Sequence, residues 1–133
     1  MSTGKAYLYT GGPSGLSTSS TWNSTGEGTG NFGYSVSTAG DVNGDGYADV
    51  IIGARTYGGT GKAYLYTGGP SGLSAAAAWS AVGEGMIHFF GVSVATAGDV
   101  NGDGYADVLV GAMGYSSNRG KAYLYTGGPA GLS

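Results

Sequence analysis

Cysteine is absent from the 133 residues, and only 10% of positions carry a charged side chain. No disulfide can brace the chain, and no thiolate can hold zinc or an iron–sulfur cluster. Five Lys and Arg, with no basic patch among them, exclude the phosphate-neutralising surface a nucleic-acid binder needs. No apolar run approaches the roughly 20 residues of a membrane-crossing helix, so membrane insertion is not expected. Neither terminus shows a targeting segment such as a signal peptide. Good helix formers are scarce as well. What fills the space is glycine, at 30 positions, with Tyr, Val, Thr and Ser. Each interior glycine costs a helix about 1 kcal/mol relative to alanine, whereas short strands joined by tight turns tolerate it. A Gly- and Ser-rich chain could be disordered, but 41% apolar residues and eleven tyrosines are enough for a packed core. The fold class is all-β.

A repeat organises the chain. The decapeptide from Gly4 to Pro13 recurs from Gly61 to Pro70 and from Gly120 to Pro129, and Ala39–Val50 recurs unchanged as Ala97–Val108. Trp22 matches Trp79, Glu27 matches Glu84, and Phe32-Gly33 matches Phe90-Gly91. Such near-identity is the mark of recent duplication or of design. Within one unit, residues 33–39 alternate as a pleated strand does, and 49–54 form a short apolar run suited to a strand buried on both faces. Residues 61–67 place Tyr64 and Tyr66 on one face, and a weaker fourth strand surrounds Trp79. Four short antiparallel strands per unit of under 60 residues describe a β-propeller blade. The chain divides into a partial blade of outer strands at 1–31, a complete blade at 32–89, and a second blade at 90–133 without its outermost strand. A blade cannot bury both faces alone and needs neighbours.

Six of the eight acidic residues fall in two clusters: Asp41, Asp45 and Asp49, then Asp99, Asp103 and Asp107. The pattern is Asp-x-Asn-x-Asp-Gly-x-x-Asp, with Asn43 and Asn101 at the third position. Carboxylates so close repel one another unless a cation neutralises them. Alternate placement turns three oxygens towards one point when the chain curls, and glycine permits the bend. The carbonyl of Tyr47 or Tyr105 can point inwards, and Asp49 or Asp107 closes the ring. An all-oxygen cage suits calcium, which takes six to eight such ligands; zinc prefers nitrogen and sulfur. An EF-hand would need Glu at position 12, where Ile52 and Val110 stand. The alternative is an Asx-rich turn without metal, but two identical copies favour two calcium sites.

With these loops, the sequence resembles the FG-GAP repeats of integrin-α-type propellers. That repeat opens on Phe-Gly, here Phe32-Gly33 and Phe90-Gly91, and a calcium loop follows. Its second strand ends Gly-Ala-Pro; here it ends Gly53-Ala54-Arg55 and Gly111-Ala112-Met113, a departure that touches a turn and spares the calcium ligands. The resemblance implies calcium loops on one rim of a seven-bladed propeller, an extracellular or cell-surface setting, and a role in adhesion, scaffolding or lectin-type sugar binding.

Two blades do not make a ring, so the chain is expected to complete one by assembling with copies of itself. A protein or a glycan is the expected ligand. Catalysis is not expected. His88 is the lone histidine and has no carboxylate nearby in sequence except Glu84, so packing or an exposed loop is its expected place. Ala63 stands where a phosphate loop at Gly58–Lys62 would need Ser or Thr. Glu27 and Glu84 belong to different blades and are assigned to inter-blade turns, not to paired acid–base work. Trp22 and Trp79 are assigned to the core between blades, with sugar stacking as the alternative.

Overall fold

A computed structural model describes residues 2–133. Three of its four antiparallel sheets stack in chain order, and the fourth is a two-stranded hairpin in a loop. In the first, β1 (Lys5–Leu8) pairs with β4 (Trp22–Thr25), and the loop between them holds a small hairpin of β2 (Gly11–Gly12) and β3 (Gly15–Leu16). The middle sheet is a meander of β5 (Phe32–Gly40), β6 (Asp49–Ala54), β7 (Lys62–Tyr66) and β8 (Trp79–Val82). The third has β9 (Phe90–Gly98), β10 (Asp107–Ala112) and β11 (Lys121–Tyr125). Short helical turns at Tyr57–Gly59 and Tyr115–Asn118 join second strand to third in the latter two sheets. The strands expected around 33–39, 49–54, 61–67 and Trp79 all form, the last at the sheet edge.

Strand period explains the two seams. Ile51 and Ile52 are neighbours on β6 and so point to opposite faces. Ile52 joins Ala6, Phe32, Ala54, Tyr64 and Tyr66 in the seam between the first two sheets. Ile51 joins Ala63, Leu65, Phe90, Val108 and Val110 in the seam between the middle and third sheets. The apolar run of β6 therefore reflects burial on both faces. Each fully buried aliphatic or aromatic side chain contributes about 1.5–3 kcal/mol, so the seams, more than any single sheet, hold the stack together.

The aromatic residues repeat as well. Phe32 meets Tyr64 edge-on at 5.2 Å, and Phe90 meets Tyr123 at 5.1 Å. Where β6 crosses the start of β9, the two backbones nearly touch. A Cβ on Gly53 would collide with the Gly91 carbonyl oxygen, which accepts a 2.8 Å hydrogen bond from Ser35 Oγ. Glycine there is a packing requirement.

Candidate metal centre

Each acidic loop joins the first and second strands of its sheet: residues 41–48 between β5 and β6, and 99–106 between β9 and β10. The loop folds around its first aspartate. Asp41 Oδ1 accepts from the N–H groups of Gly44 (2.8 Å) and Asp45 (3.1 Å), and Oδ2 accepts from Gly46 N–H (2.8 Å). Three donors converge because Gly44 and Gly46 adopt left-handed backbone angles, φ 74° and 87°, that side chains disfavour. Asn43 Oδ1 accepts from Asp45 N–H at 3.3 Å, and Asp45 Oδ1 accepts from Tyr47 N–H at 2.9 Å. The second loop repeats every one of these bonds, from Asp99 at 2.8, 3.0 and 2.8 Å to Asp103 at 3.0 Å. The Gly104 N–H holds the Asp99 carboxyl below its usual range.

The ninth position behaves differently. Asp49 and Asp107 are fully buried. Asp49 Oδ2 accepts from Val42 N–H at 2.8 Å and Oδ1 from Gly68 N–H at 2.9 Å, tying the loop to the end of β7. Asp107 does the same with Val100 and Gly127. Burial pushes the Asp49 carboxyl up, against the pull of both N–H bonds, with Asp45 and Asp41 adding repulsion. No cationic side chain pairs with either carboxylate among the described residues.

Among the described residues, no group of three or more His, Cys, Asp or Glu side chains is drawn together at metal-holding distance. The donor set nevertheless suits a hard cation. A carboxylate offers about four acceptor sites; Asp41 uses three, Asp45 one and Asp49 two. Every acidic side chain of the loop therefore keeps unused lone pairs. With Asn43 and the Tyr47 carbonyl, only oxygen is on offer, the chemistry calcium selects.

Sequence reasoning missed Val42. It is fully buried in the seam with the third sheet, where its carbonyl accepts from Gly128 N–H at 2.9 Å, next to an Asp41 carbonyl bonded to Ala106 N–H at 3.0 Å. The loop is thus a plug between blades as well as a cluster of oxygens. A branched aliphatic residue set between Asp41 and Asn43 was the available signal.

The other marked residues occupy the seams. Glu27 pairs with Lys62 at 3.1 Å, and Glu84 with Lys121 at 2.7 Å and the Tyr123 hydroxyl at 2.6 Å, each joining a turn to the next sheet. Trp22 packs edge-on against Tyr66 at 5.0 Å, and Trp79 against Tyr125 at 4.8 Å. His88 packs against Tyr115 at 5.0 Å.

The sequence profile of the FG-GAP repeat matches residues 32–66 and 90–125. Integrin alpha-6 of Gallus gallus is 40% identical over 83 residues, covering 62% of this chain and 8% of that protein. Integrin alpha-E of Mus musculus is 39% identical over 92 residues, covering 61% and 8%. Integrin alpha-5 of Xenopus laevis is 31% identical over 114 residues, covering 78% and 11%. The chain thus corresponds to a small part of each of these relatives. No helix among the described residues is long and apolar enough to cross a membrane.

Proposed function

The chain belongs to the FG-GAP repeat family of β-propellers, and from that premise we propose that it is a calcium-binding, self-assembling propeller segment with an adhesion-type binding role and no catalysis. Asp41, Asn43, Asp45 and Asp49, with the Tyr47 carbonyl, hold one calcium ion; Asp99, Asn101, Asp103, Asp107 and the Tyr105 carbonyl hold the other. The observation that carries this reading is the ninth-position carboxylate, fully buried with backbone partners but no cationic side chain among the described residues. A buried charge is normally paired or bound to metal. Two calcium ions would add four positive charges to the formal −3, giving +1.

Calcium supplies charge neutralisation; the chain's own part is to fix the loop between two strands and seat it in the seam. The functional units are a partial blade at 1–31, a complete blade at 32–89, and a blade at 90–133 that lacks its outer strand. Copies of the chain supply the missing neighbours, in an extracellular or cell-surface setting where a protein ligand is bound. Isothermal calcium titration tests the sites. Two sites per chain are expected, and none after Asp45→Ala with Asp103→Ala; no uptake at millimolar calcium would sink the reading.

One feature favours a lectin as the second reading. Twin clefts of about 250 and 260 Å³ lie at equivalent places in the two seams, one beside Trp79 and Thr67, the other beside Trp22 and Thr10. An aromatic face beside hydroxyls suits a sugar. Saturable binding on a glycan array would support it, and a blank array would leave the protein-binding role alone.

A further inference from the structure

The same sequence has different fates at the two ends of the stack. On β7, Leu65 is 1% exposed, whereas Leu124, its counterpart on β11, is 46% exposed. Ile51 is fully buried but its counterpart Leu109 is 41% exposed, and Val42 is fully buried while Val100 is 53% exposed. One face of the third sheet, from its acidic loop to β11, thus lacks the neighbour that the middle sheet has.

The other end of the stack shows the complementary gap. In the seam with the third sheet, Val42 fills the space beside Ala106 and Gly128. In the seam with the first sheet, the corresponding space is an apolar cleft of about 240 Å³ lined by Leu8, Tyr47, Ala48, Val50, Gly69 and Leu73. It is open because the two-stranded first sheet brings no acidic loop to fill it. The N–H groups of Ala48 and Gly69 match those of Ala106 and Gly128, yet they find no acceptor among the described residues. The carbonyls of Asp99 and Val100 likewise find no donor there. Loop and cleft are two halves of one joint.

From this juxtaposition we infer that, in the 133-residue polypeptide, β1 is a stand-in for β11 of a second copy. The partner's β11 pairs with β4 in place of β1, and the partner's Val100 loop seats in the cleft. The exchange costs the strand nothing chemically. Residues 4–17 and 120–133 differ only at Ser14 and Ala130, so the register Lys5↔Thr25, Ala6↔Ser24, Leu8↔Trp22 becomes Lys121↔Thr25, Ala122↔Ser24, Leu124↔Trp22. It gains what β1 cannot bring, since β11 arrives with β10 and the loop attached, and Leu109, Leu124 and Val100 become buried. Stacking that left β1 in place would keep the cleft empty. Because each new joint copies the seam already present between middle and third sheets, the same rotation repeats from copy to copy, which is what a closed ring of two blades per chain requires.

This inference rests on the self-assembly proposed above, and the test separates the two. The chain has no cysteine, so introduced pairs report cleanly. In the full chain with calcium, S24C with A122C is expected to oxidise to a ladder of reductant-sensitive oligomers. The middle sheet lies between these positions within one chain, so this crosslink joins copies. S24C with A6C, which would close an intrachain disulfide if β1 stayed paired, is expected to remain mostly reduced. Oligomers by light scattering, with a complete intrachain 6–24 disulfide and no 24–122 ladder, would leave self-assembly standing and overturn strand replacement. Monomers throughout would overturn both. The solvent-facing pairs T25C with K121C and T25C with K5C repeat the test if the first set fails to fold, as judged by circular dichroism.

Discussion

Removing the carboxylate of Asp49 should cost the fold even without calcium, whereas removing that of Asp45 should not. In Asp49→Ala, the N–H groups of Val42 and Gly68 lose their acceptor. A buried unsatisfied donor costs about 1–3 kcal/mol; Val42 is fully buried, and Gly68 is half-buried and can partly rehydrate. Relief of a charge that burial already disfavours returns part of the loss. The net expectation is about 2–3 kcal/mol, or roughly 10 °C in Tm for a chain of this size. Asp45 is exposed and accepts one bond, from Tyr47 N–H, so Asp45→Ala should stay within about 0.5 kcal/mol. Saturating calcium at a hundred times Kd adds about 2.7 kcal/mol per site, and each variant should lose one such increment while the intact loop at Asp99 keeps its own. Scanning calorimetry in EDTA and in calcium, at fixed protein concentration, gives all four numbers. An Asp49→Ala protein as stable as the parent in EDTA would refute the buried-staple argument; a full calcium response in Asp45→Ala would refute the site.

Gly53→Ala should destabilise by about 1–3 kcal/mol through overpacking against the Gly91 backbone, while Gly11→Ala, with open space around the new methyl, should change urea midpoints little; equal effects would disprove the close approach. Phe90→Ala, at a side chain 1% exposed in the seam, should cost about 3–5 kcal/mol in urea unfolding. Acid should act through Glu84, which Lys121 and then Tyr123 hold below the usual range. A lowered carboxylate contributes stability above its unfolded pKa that is lost as pH falls through the folded one, so the parent should lose more Tm than Glu84→Gln in acid. Base should act through Tyr123, which burial and then the Glu84 bond push up to about 12. That stability is present below the free tyrosine range and disappears as pH rises to about 12, and ultraviolet titration of the parent against Tyr123→Phe follows it.

Local chemistry made much of this legible. The acidic loop reads from sequence because the hydrogen bonds to its Asp41, Asn43 and Asp45 side chains span only two to five residues, from Asp41 to Gly46 and from Asp45 to Tyr47. β6 reads because an apolar run between turn signals has few alternatives. The role of Asp49 as a tie to Gly68 was not legible, because the two lie 19 residues apart and meet only when β7 returns beside β6. Val42 as a plug was hidden for the same reason, since its partner Gly128 lies just past β11 of another sheet.

The pentapeptide Lys-Ala-Tyr-Leu-Tyr separates what sequence determines from what tertiary structure decides. It occurs at residues 5–9, 62–66 and 121–125, and each time it supplies a strand. Alternation and β propensity act within the segment, so sequence alone determines the strand. Exposure does not follow: Tyr64 is 3% exposed and its counterpart Tyr7 is 56% exposed. Burial is a property of a pair of surfaces, and identical strands differ in it because only the middle one has a sheet on each side.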